Sequence, residues 1–308
     1  WVENELKVGQ DRTIHEFVSS HLDAMMERGT LLFLFDSFDE IPAVMDAQED
    51  EETINLYAQA FGRFLYASHR CRGLVSSRPY RSPKTLVGQK MTIRPLSDNR
   101  IKEALDRYLI QDRGLAAQIW HELIRERDDL LHIARTPFYL DLLISYAQDQ
   151  QRLPQRQYHL FEHFIDSRAR IDEERLSHFE LNPTQLIERA SLLAFVMMQA
   201  SQVGLTANEE QIRTALMPQV DWDGEIEDRT RQLLEALSYS KLGALAGNSE
   251  ESTRSFSFAH RRFQEYLAAR FLQDRPGAIP VQDLVADNRW RKVLVLLCEV
   301  LDVEHLTP

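Results

Sequence analysis

Residues 31–40 read LLFLFDSFDE, and this stretch decides the fold. The run from Thr30 to Phe35 is short, apolar and bounded by acid, which is typical of a strand buried on both faces of a parallel sheet. In open α/β sheets, ligands bind in the crevice outside the carboxyl ends of such strands. The pattern therefore predicts that Asp36 stands at the mouth of a binding site. The alternative is a buried strand that ends in an acidic turn.

The residues after this strand are suited to phosphate chemistry. A carboxylate at Asp36 can hold Mg²⁺ through the metal's water shell. Ser37 is small enough for a phosphate-bearing loop to pass close by. Asp39 and Glu40 add carboxylates beyond it, and either of them can orient or deprotonate an attacking water.

A second strand is predicted at residues 73–76, and it ends in Ser76-Ser77-Arg78-Pro79. Pro79 restricts Arg78 to an extended conformation, which directs its side chain off the end of the sheet. A guanidinium there suits a terminal phosphate, because it stays charged and offers a fork of donors. Taken alone, Arg78 is better explained as one half of a surface ion pair, but its position one strand after the Asp36 strand favours the phosphate role.

The flanking sequence completes half of an α/β sheet. Residues 13–28 have helical periodicity and stop at Gly29, and residues 54–66 predict a second helix. Residues 91–93 (MTI) predict a third strand. Strand, helix, strand, loop and strand amount to part of a parallel sheet.

From Ser97 onward the periodicity predicts an almost entirely helical region. Two short apolar runs, residues 242–246 and 254–258, interrupt it and predict a β-hairpin, followed directly by a helix over residues 259–272. Helices followed by a hairpin and a helix indicate a winged-helix unit. The other helices are expected at residues 97–110, 115–126, 138–149, 155–175, 184–201, 208–216, 227–239 and 290–301.

Composition narrows the function classes. The 308 residues carry 36 basic and 48 acidic side chains, a net charge of −12, which disfavours broad binding to nucleic acid. The longest apolar runs, such as Val293 to Cys298, fall far short of the about 20 residues of a membrane span. With two cysteines and no signal-peptide pattern, the chain is expected to be cytoplasmic. Because it begins with Trp1, it is expected to be a piece of a longer protein.

Two further features have ordinary explanations. Pro137, in Thr136-Pro137-Phe138, is a routine helix start. His260 falls on the apolar face of its helix with Phe263 and Leu267, where a satisfied core histidine is the default; the same helix start can instead bind an anion. The sequence contains no zinc pattern, no Gly-x-Ser-x-Gly and no Gly-x-x-x-x-Gly-Lys-Ser/Thr loop.

Taken in order, these residues resemble a NACHT-type NTPase of the STAND class, the switch proteins related to animal inflammasome receptors and to bacterial defence proteins. Residues 32–40 are similar to the Walker B strand of that family, and residues 76–79 to its sensor-arginine strand. Residues 91–97 (MTIRPLS) resemble the entry to its helical domain. Residues 136–140 resemble its adenine-contacting proline motif, and residues 256–269 (FSFAHRRFQEYLAA) its winged-helix histidine motif.

The resemblance implies a role for each matching residue. It implies Asp36 for Mg²⁺, Asp39 or Glu40 for the hydrolytic water, and Arg78 for the γ-phosphate of ATP. It further implies Pro137 for the adenine and His260 for the β-phosphate of bound ADP. The Walker A segment of the family has no counterpart here, so the chain alone is expected to be inactive and the intact parent to be an ATPase.

The sequence thus predicts a central ATP/ADP-dependent switch that oligomerises when a trigger, a protein or a nucleic acid, is sensed elsewhere. Its Arg-rich composition and short loops favour prokaryotic antiviral defence. The alternatives are a scaffold that does not hydrolyse nucleotide and a winged-helix transcription regulator, for which Arg261, Arg262 and Arg270 are the basic candidates. The expected domains are the second half of an α/β P-loop core (1–95), a helical domain (96–180), a winged helix (181–275) and the start of a sensor region (276–308).

Overall fold

The chain forms two compact units, the first within residues 1–92 and the second beginning at Ile93. This computed structural model describes residues 12–41, 43, 44, 47, 51–67, 70–170, 176–200, 205–222, 225–246 and 254–300. Within these ranges no helix is both long enough and apolar enough to cross a membrane.

The described part of the first unit includes two long helices beside a parallel pair of strands, β1 (Leu32–Phe35) and β2 (Arg72–Val75). Strands β1 and β2 pair in register from Leu32 opposite Arg72 to Phe35 opposite Val75. A short 3-10 turn follows each strand, at Phe38–Glu40 and at Pro79–Arg81. The helices and strands are α1 (Arg12–Arg28), β1 (Leu32–Phe35), α2 (Glu51–Ala67) and β2 (Arg72–Val75).

The core of this unit lies between β1 and α2. Phe33 packs edge to face on Phe64 of α2 with ring centres 4.9 Å apart, and Phe35 packs on Phe61 at 4.7 Å. Alternate side chains of a strand point to opposite faces, and Leu32 and Leu34 are 60% and 67% exposed. The expectation that β1 is buried on both faces is therefore wrong for the described residues, because α2 covers only one face.

The third strand predicted at Met91–Ile93 is also wrong. These residues pair with no described strand, and Met91 and Ile93 are 75% and 95% exposed. A short apolar run has the side chains of a strand, but a strand exists only where a neighbouring backbone accepts its hydrogen bonds.

The second unit is mostly helical and includes a small antiparallel sheet. It also contains helices at Asp128–Ala134 and Val281–Ala286, which the sequence did not reveal. Its elements are α3 (Asp98–Tyr108), α4 (Arg113–Arg125), α5 (Asp128–Ala134), α6 (Pro137–Gln150), α7 (Gln157–Arg170), α8 (Pro183–Gln199), β3 (Thr206–Asn208), α9 (Glu209–Leu216), α10 (Ile226–Tyr239), β4 (Gly243–Ala246), β5 (Ser255–Phe258), α11 (Arg261–Asp274), α12 (Val281–Ala286) and α13 (Arg291–Val300).

Local capping starts several of these helices. Ser97 caps α3, accepting a hydrogen bond from the backbone N–H of Arg100. Asn182 caps α8 through a reciprocal box with Gln185, with a proline in the first turn. Such caps satisfy backbone N–H groups that have no partner inside the helix.

Helices α8 and α11 form the centre of the second unit. Both are buried along most of their length, and Phe195 of α8 stacks on Phe271 of α11 with ring centres 4.3 Å apart. Trp290, just before α13, closes the same cluster at 5.8 Å from Phe195.

The sheet of this unit has the order β3-β5-β4, with both pairs antiparallel. The predicted hairpin is β4 with β5, and its connection, residues 247–253, lies outside the described residues. Gly243 is required in β4 because a Cβ there would lie 2.3 Å from the Phe256 ring. Strand β3 has only three residues, too few for a periodic signal, and was not predicted.

Candidate functional site

Polar side chains meet at the carboxyl edge of the β1–β2 pair. Since the strands are parallel, Asp36 after β1 and Ser76 after β2 reach the same edge. The Ser76 hydroxyl donates to Asp36 Oδ1 and accepts a hydrogen bond of 2.8 Å from the backbone N–H of Ser37. Ser76 thus joins the two strand ends and holds the exposed Asp36 carboxylate at the edge of the sheet.

Ser37 turns the chain at this point. Its backbone is left-handed, with φ 56° and ψ 51°, a conformation that L residues other than Gly, Asn and Asp rarely adopt. The turn brings Phe38 into the core, where it is 1% exposed and donates its N–H to the carbonyl of Ser76 at 2.9 Å. Asp36 is thereby left on the exposed side while Phe38 anchors the turn.

Asp39 lies under the turn and contacts Arg78. The carboxylate is 2% exposed, and its Oδ1 accepts a hydrogen bond of 2.9 Å from the backbone N–H of Arg78. Its Oδ2 lies 3.5 Å from Arg78 Nε. The two residues therefore meet at both the backbone and the side chain.

Arg78 has the extended backbone that Pro79 was expected to impose, with φ −72° and ψ 151°. Its side chain is 43% exposed. Glu40 ends the 3-10 turn, and its side chain lies outside the described residues. Asp36, Ser37, Asp39 and Arg78 thus lie together in the first unit.

A second group of predicted residues lies where α6 and α11 begin. Pro137 is the first residue of α6 and is exposed. Next to it, Phe138 stacks on His260 with ring centres 4.0 Å apart and an interplanar angle of 4°. Pro137 and His260 are therefore neighbours within the second unit.

The ring of His260 lies beside Phe263, as the spacing predicted, and His260 also caps its helix. The helix α11 begins at Arg261, and His260 Nδ1 accepts a hydrogen bond of 3.0 Å from the backbone N–H of Arg262. A ring nitrogen that accepts carries no proton, so in neutral His260 the proton is on Nε2. The cap therefore makes Nε2 a hydrogen-bond donor.

A buried carboxylate organises the arginines after this cap. Glu265 is 3% exposed and accepts from Arg261 Nε at 3.2 Å and from Arg262 Nη1 at 2.6 Å. Nearby, burial raises the pKa of Tyr139 above its usual value, and the positive charge of Arg262 partly opposes that rise. Arg270 pairs with Asp166 at 3.3 Å. The three basic candidates for DNA contact are therefore all compensated by carboxylates of the same unit.

Three contributors escaped the sequence analysis: Ser76, Phe138 and Glu265. Ser76 had a usable signal, because it follows β2 as Asp36 follows β1. Phe138 and Glu265 gave none, since an aromatic or acidic residue in the first turns of a helix is common.

Magnesium is commonly held by one or two carboxylates together with substrate phosphates and water, and the exposed Asp36 carboxylate fits this pattern. Among the described residues, no group of three or more His, Cys, Asp or Glu side chains is placed to hold a metal ion. Any Mg²⁺ here would therefore take most of its ligands from the nucleotide and water.

No protein-family model fits the chain, and no curated protein matches it.

Proposed function

We propose that these residues form part of a nucleotide-dependent switch of the NACHT type, which binds ATP or ADP with Mg²⁺. The observation that carries the proposal is the edge of the β1–β2 pair, where the exposed Asp36, held by Ser76, and Arg78, held by Asp39, end adjacent parallel strands. Carboxyl edges of parallel strands are where α/β proteins bind nucleotides.

The residues take the following roles in this proposal. Asp36 would hold Mg²⁺, which offsets phosphate charge when bound. Arg78 contacts the γ-phosphate, and Asp39 or Glu40 orients the attacking water. Ser37 keeps the turn open beside the phosphates. The family resemblance assigns Pro137 to the adenine and His260, through Nε2, to the β-phosphate of ADP.

The order of elements in the second unit supports a winged helix. Helix α8, strand β3, helices α9 and α10 and the β4–β5 hairpin follow one another, and β3 completes the sheet at β5. Helix α10, which follows α9 as a recognition helix does, carries Arg229 and Arg231 paired with acids of its own first turns. This pairing favours a winged helix used for contacts within the protein over one that reads DNA.

In the proposed switch, ADP favours a closed state and exchange for ATP favours an open, oligomerising one. The trigger and the setting in prokaryotic antiviral defence rest on the family resemblance. A scaffold that binds nucleotide without hydrolysing it is the alternative, and turnover separates the two.

The test uses the full-length product of the gene that encodes these residues. Asp36→Ala should abolish Mg²⁺-dependent ATP hydrolysis, because it removes the carboxylate at the strand end. Asp23→Ala removes an exposed acid of α1 in the same unit and should leave hydrolysis unchanged. Phosphate release under saturating ATP is the measurement. Failure of the unsubstituted protein to bind ATP or ADP would rule out the switch.

A further inference from the structure

Asp39 has a feature that a water-handling residue does not require: it is almost wholly enclosed. Its carboxylate is 2% exposed, and both oxygens face Arg78, at the backbone N–H and at Nε. A group that orients water must reach the water, whereas an enclosed carboxylate acts on the groups around it. The geometry therefore disfavours Asp39 as the residue of the acidic pair that handles the water.

The burial of Asp39 also identifies its partner. Burying a carboxylate is costly unless a cation and hydrogen bonds compensate it. Oδ2 makes no hydrogen bond within the described residues, so the guanidinium of Arg78, 3.5 Å away, is the cation that compensates it. Asp39 and Arg78 thus form one unit that links the turn after β1 to the end of β2.

The contact fixes Arg78 at two points. The backbone hydrogen bond sets where the side chain leaves the end of β2, and the charge contact at Nε holds the guanidinium beside the Asp39 carboxylate. A fork of donors recognises a phosphate only when its plane is oriented, so this restraint bears directly on recognition.

We propose that Asp39 is a positioning residue, which orients Arg78 and so gives the site its preference for a nucleoside triphosphate over a diphosphate. This inference rests on the proposed function. Asp39 takes no proton from the water in this scheme, and Glu40 is left as the residue that orients it.

The experiment measures affinity for ADP and for a non-hydrolysable ATP analogue, together with single-turnover ATP hydrolysis, in the full-length gene product. Asp39→Asn keeps an oxygen to accept from the Arg78 N–H but removes the charge beside Nε. Arg78→Gln removes the guanidinium, and the double variant removes both. Glu40→Gln is the comparison for a residue that handles water.

Asp39→Asn should weaken binding of the ATP analogue by about fivefold, the size expected when an ion pair worth about 1 kcal/mol is lost. Its affinity for ADP should stay within about twofold, because Arg78 contacts only the γ-phosphate. In the double variant, Asp39→Asn should add nothing to the loss caused by Arg78→Gln. Glu40→Gln should keep its affinity for the ATP analogue, while its rate of ATP hydrolysis falls by about a hundredfold.

If Asp39 only stabilises the fold, Asp39→Asn will lower the melting temperature and weaken the binding of both nucleotides alike. That result overturns the proposal. The proposal is also overturned if Asp39→Asn keeps the preference for ATP over ADP but no longer hydrolyses ATP. It is overturned as well if the losses of ATP-analogue affinity in the two single variants multiply in the double variant. If the unsubstituted protein binds neither nucleotide, the proposed function itself is wrong and this inference with it. Binding by the unsubstituted protein combined with an unaffected Asp39→Asn overturns the inference alone.

Discussion

At the scale of single residues, the first unit depends on one unusual backbone conformation. Ser37 is left-handed, and this turn directs Phe38 into the core while Asp36 stays exposed. A non-glycine residue in this region is strained by about 1 kcal/mol. Such strain persists only where the surroundings impose it, and here Ser76 does so through its bonds to Ser37 and Phe38.

Ser37→Gly should therefore leave stability unchanged or raise it by up to about 1 kcal/mol, because relief of strain offsets the greater freedom of unfolded glycine. Ser37→Val should lower stability by about 2 kcal/mol, since a β-branched side chain is poorly tolerated at positive φ. Urea unfolding of the 308-residue chain, with hydrogen exchange at the β1 and β2 amides, measures both. The control, Ser20→Gly in helix α1, should cost about 0.5 kcal/mol. A loss at Ser37→Gly equal to that control would contradict the assignment.

At the scale of elements, most helices could be predicted from signals in their own sequence, whereas strands could be predicted less well, because they depend on partners elsewhere in the chain. Helices such as α3 and α8 have both periodicity and caps in their own sequence, so they could be predicted. Residues 91–93 failed because their identity as a strand depends on a neighbour that the local sequence does not contain. Strand β1 was located correctly, but its burial on both faces could not be known from LLFLF alone.

Helices α7 and α11 are joined by a buried pair of tyrosines. The rings of Tyr158 and Tyr266 have centres 4.8 Å apart, and the Tyr158 hydroxyl donates to Gln273 Oε1 at 3.0 Å. Burial raises the pKa of Tyr158 from 10 to about 12, and it also raises the pKa of Tyr266. Burial thus favours the neutral phenol of Tyr158.

This pair predicts how stability depends on alkaline pH. The folded chain keeps the Tyr158 proton to higher pH than the unfolded chain does. The contribution of Tyr158 to stability is therefore complete below pH 10 and is lost as the pH rises through about 12. Tyr158→Phe should lower stability by about 1 kcal/mol near neutral pH, through the lost hydrogen bond, but decline less steeply above pH 10. Melting temperatures between pH 7 and about 11.5 test this.

The control for this experiment is Tyr108→Phe, at a residue that is 57% exposed. It should follow the unsubstituted chain at every pH. Parallel curves for Tyr158→Phe and the unsubstituted chain would show that Tyr158 does not titrate with unfolding.

At the scale of the whole molecule, the acidic balance is built into the fold. Arginines lie against carboxylates, as Arg254 does between Glu209 and Glu235 and as Arg261 and Arg262 do around Glu265. The net charge of −12 leaves no general attraction for phosphate backbones. In the proposed switch, recognition of a phosphate group therefore depends on a few oriented donors, such as Arg78 and His260.

The sequence revealed the candidate site where a rule links position to chemistry. Residues at the ends of parallel strands, Asp36 and Arg78, could be predicted from that rule. The enclosure of Asp39 and the capping role of His260 could not, because both depend on which backbone N–H lies nearby in the folded chain.

His260 connects these scales, because one ring both caps α11 and, in the proposed switch, donates to the β-phosphate of ADP. The two roles use different nitrogens: Nδ1 accepts from Arg262, and Nε2 carries the proton. A substitution that keeps an acceptor but removes the donor therefore separates them. His260→Asp does so, since aspartate is a favourable cap at a helix N-terminus.

In the full-length gene product, His260→Asp should retain the melting temperature better than His260→Ala, yet lose ADP affinity at least as strongly, because its charge repels phosphate. Losing the donor should destabilise the closed state relative to the open state by on the order of 1 to 3 kcal/mol. This is about a fivefold to hundredfold increase in the ratio of open to closed molecules. Both variants should then oligomerise without a trigger, as light scattering and ADP titration can measure. If His260 serves only as cap and packing partner of Phe138, His260→Asp will keep its ADP affinity and remain in the resting state.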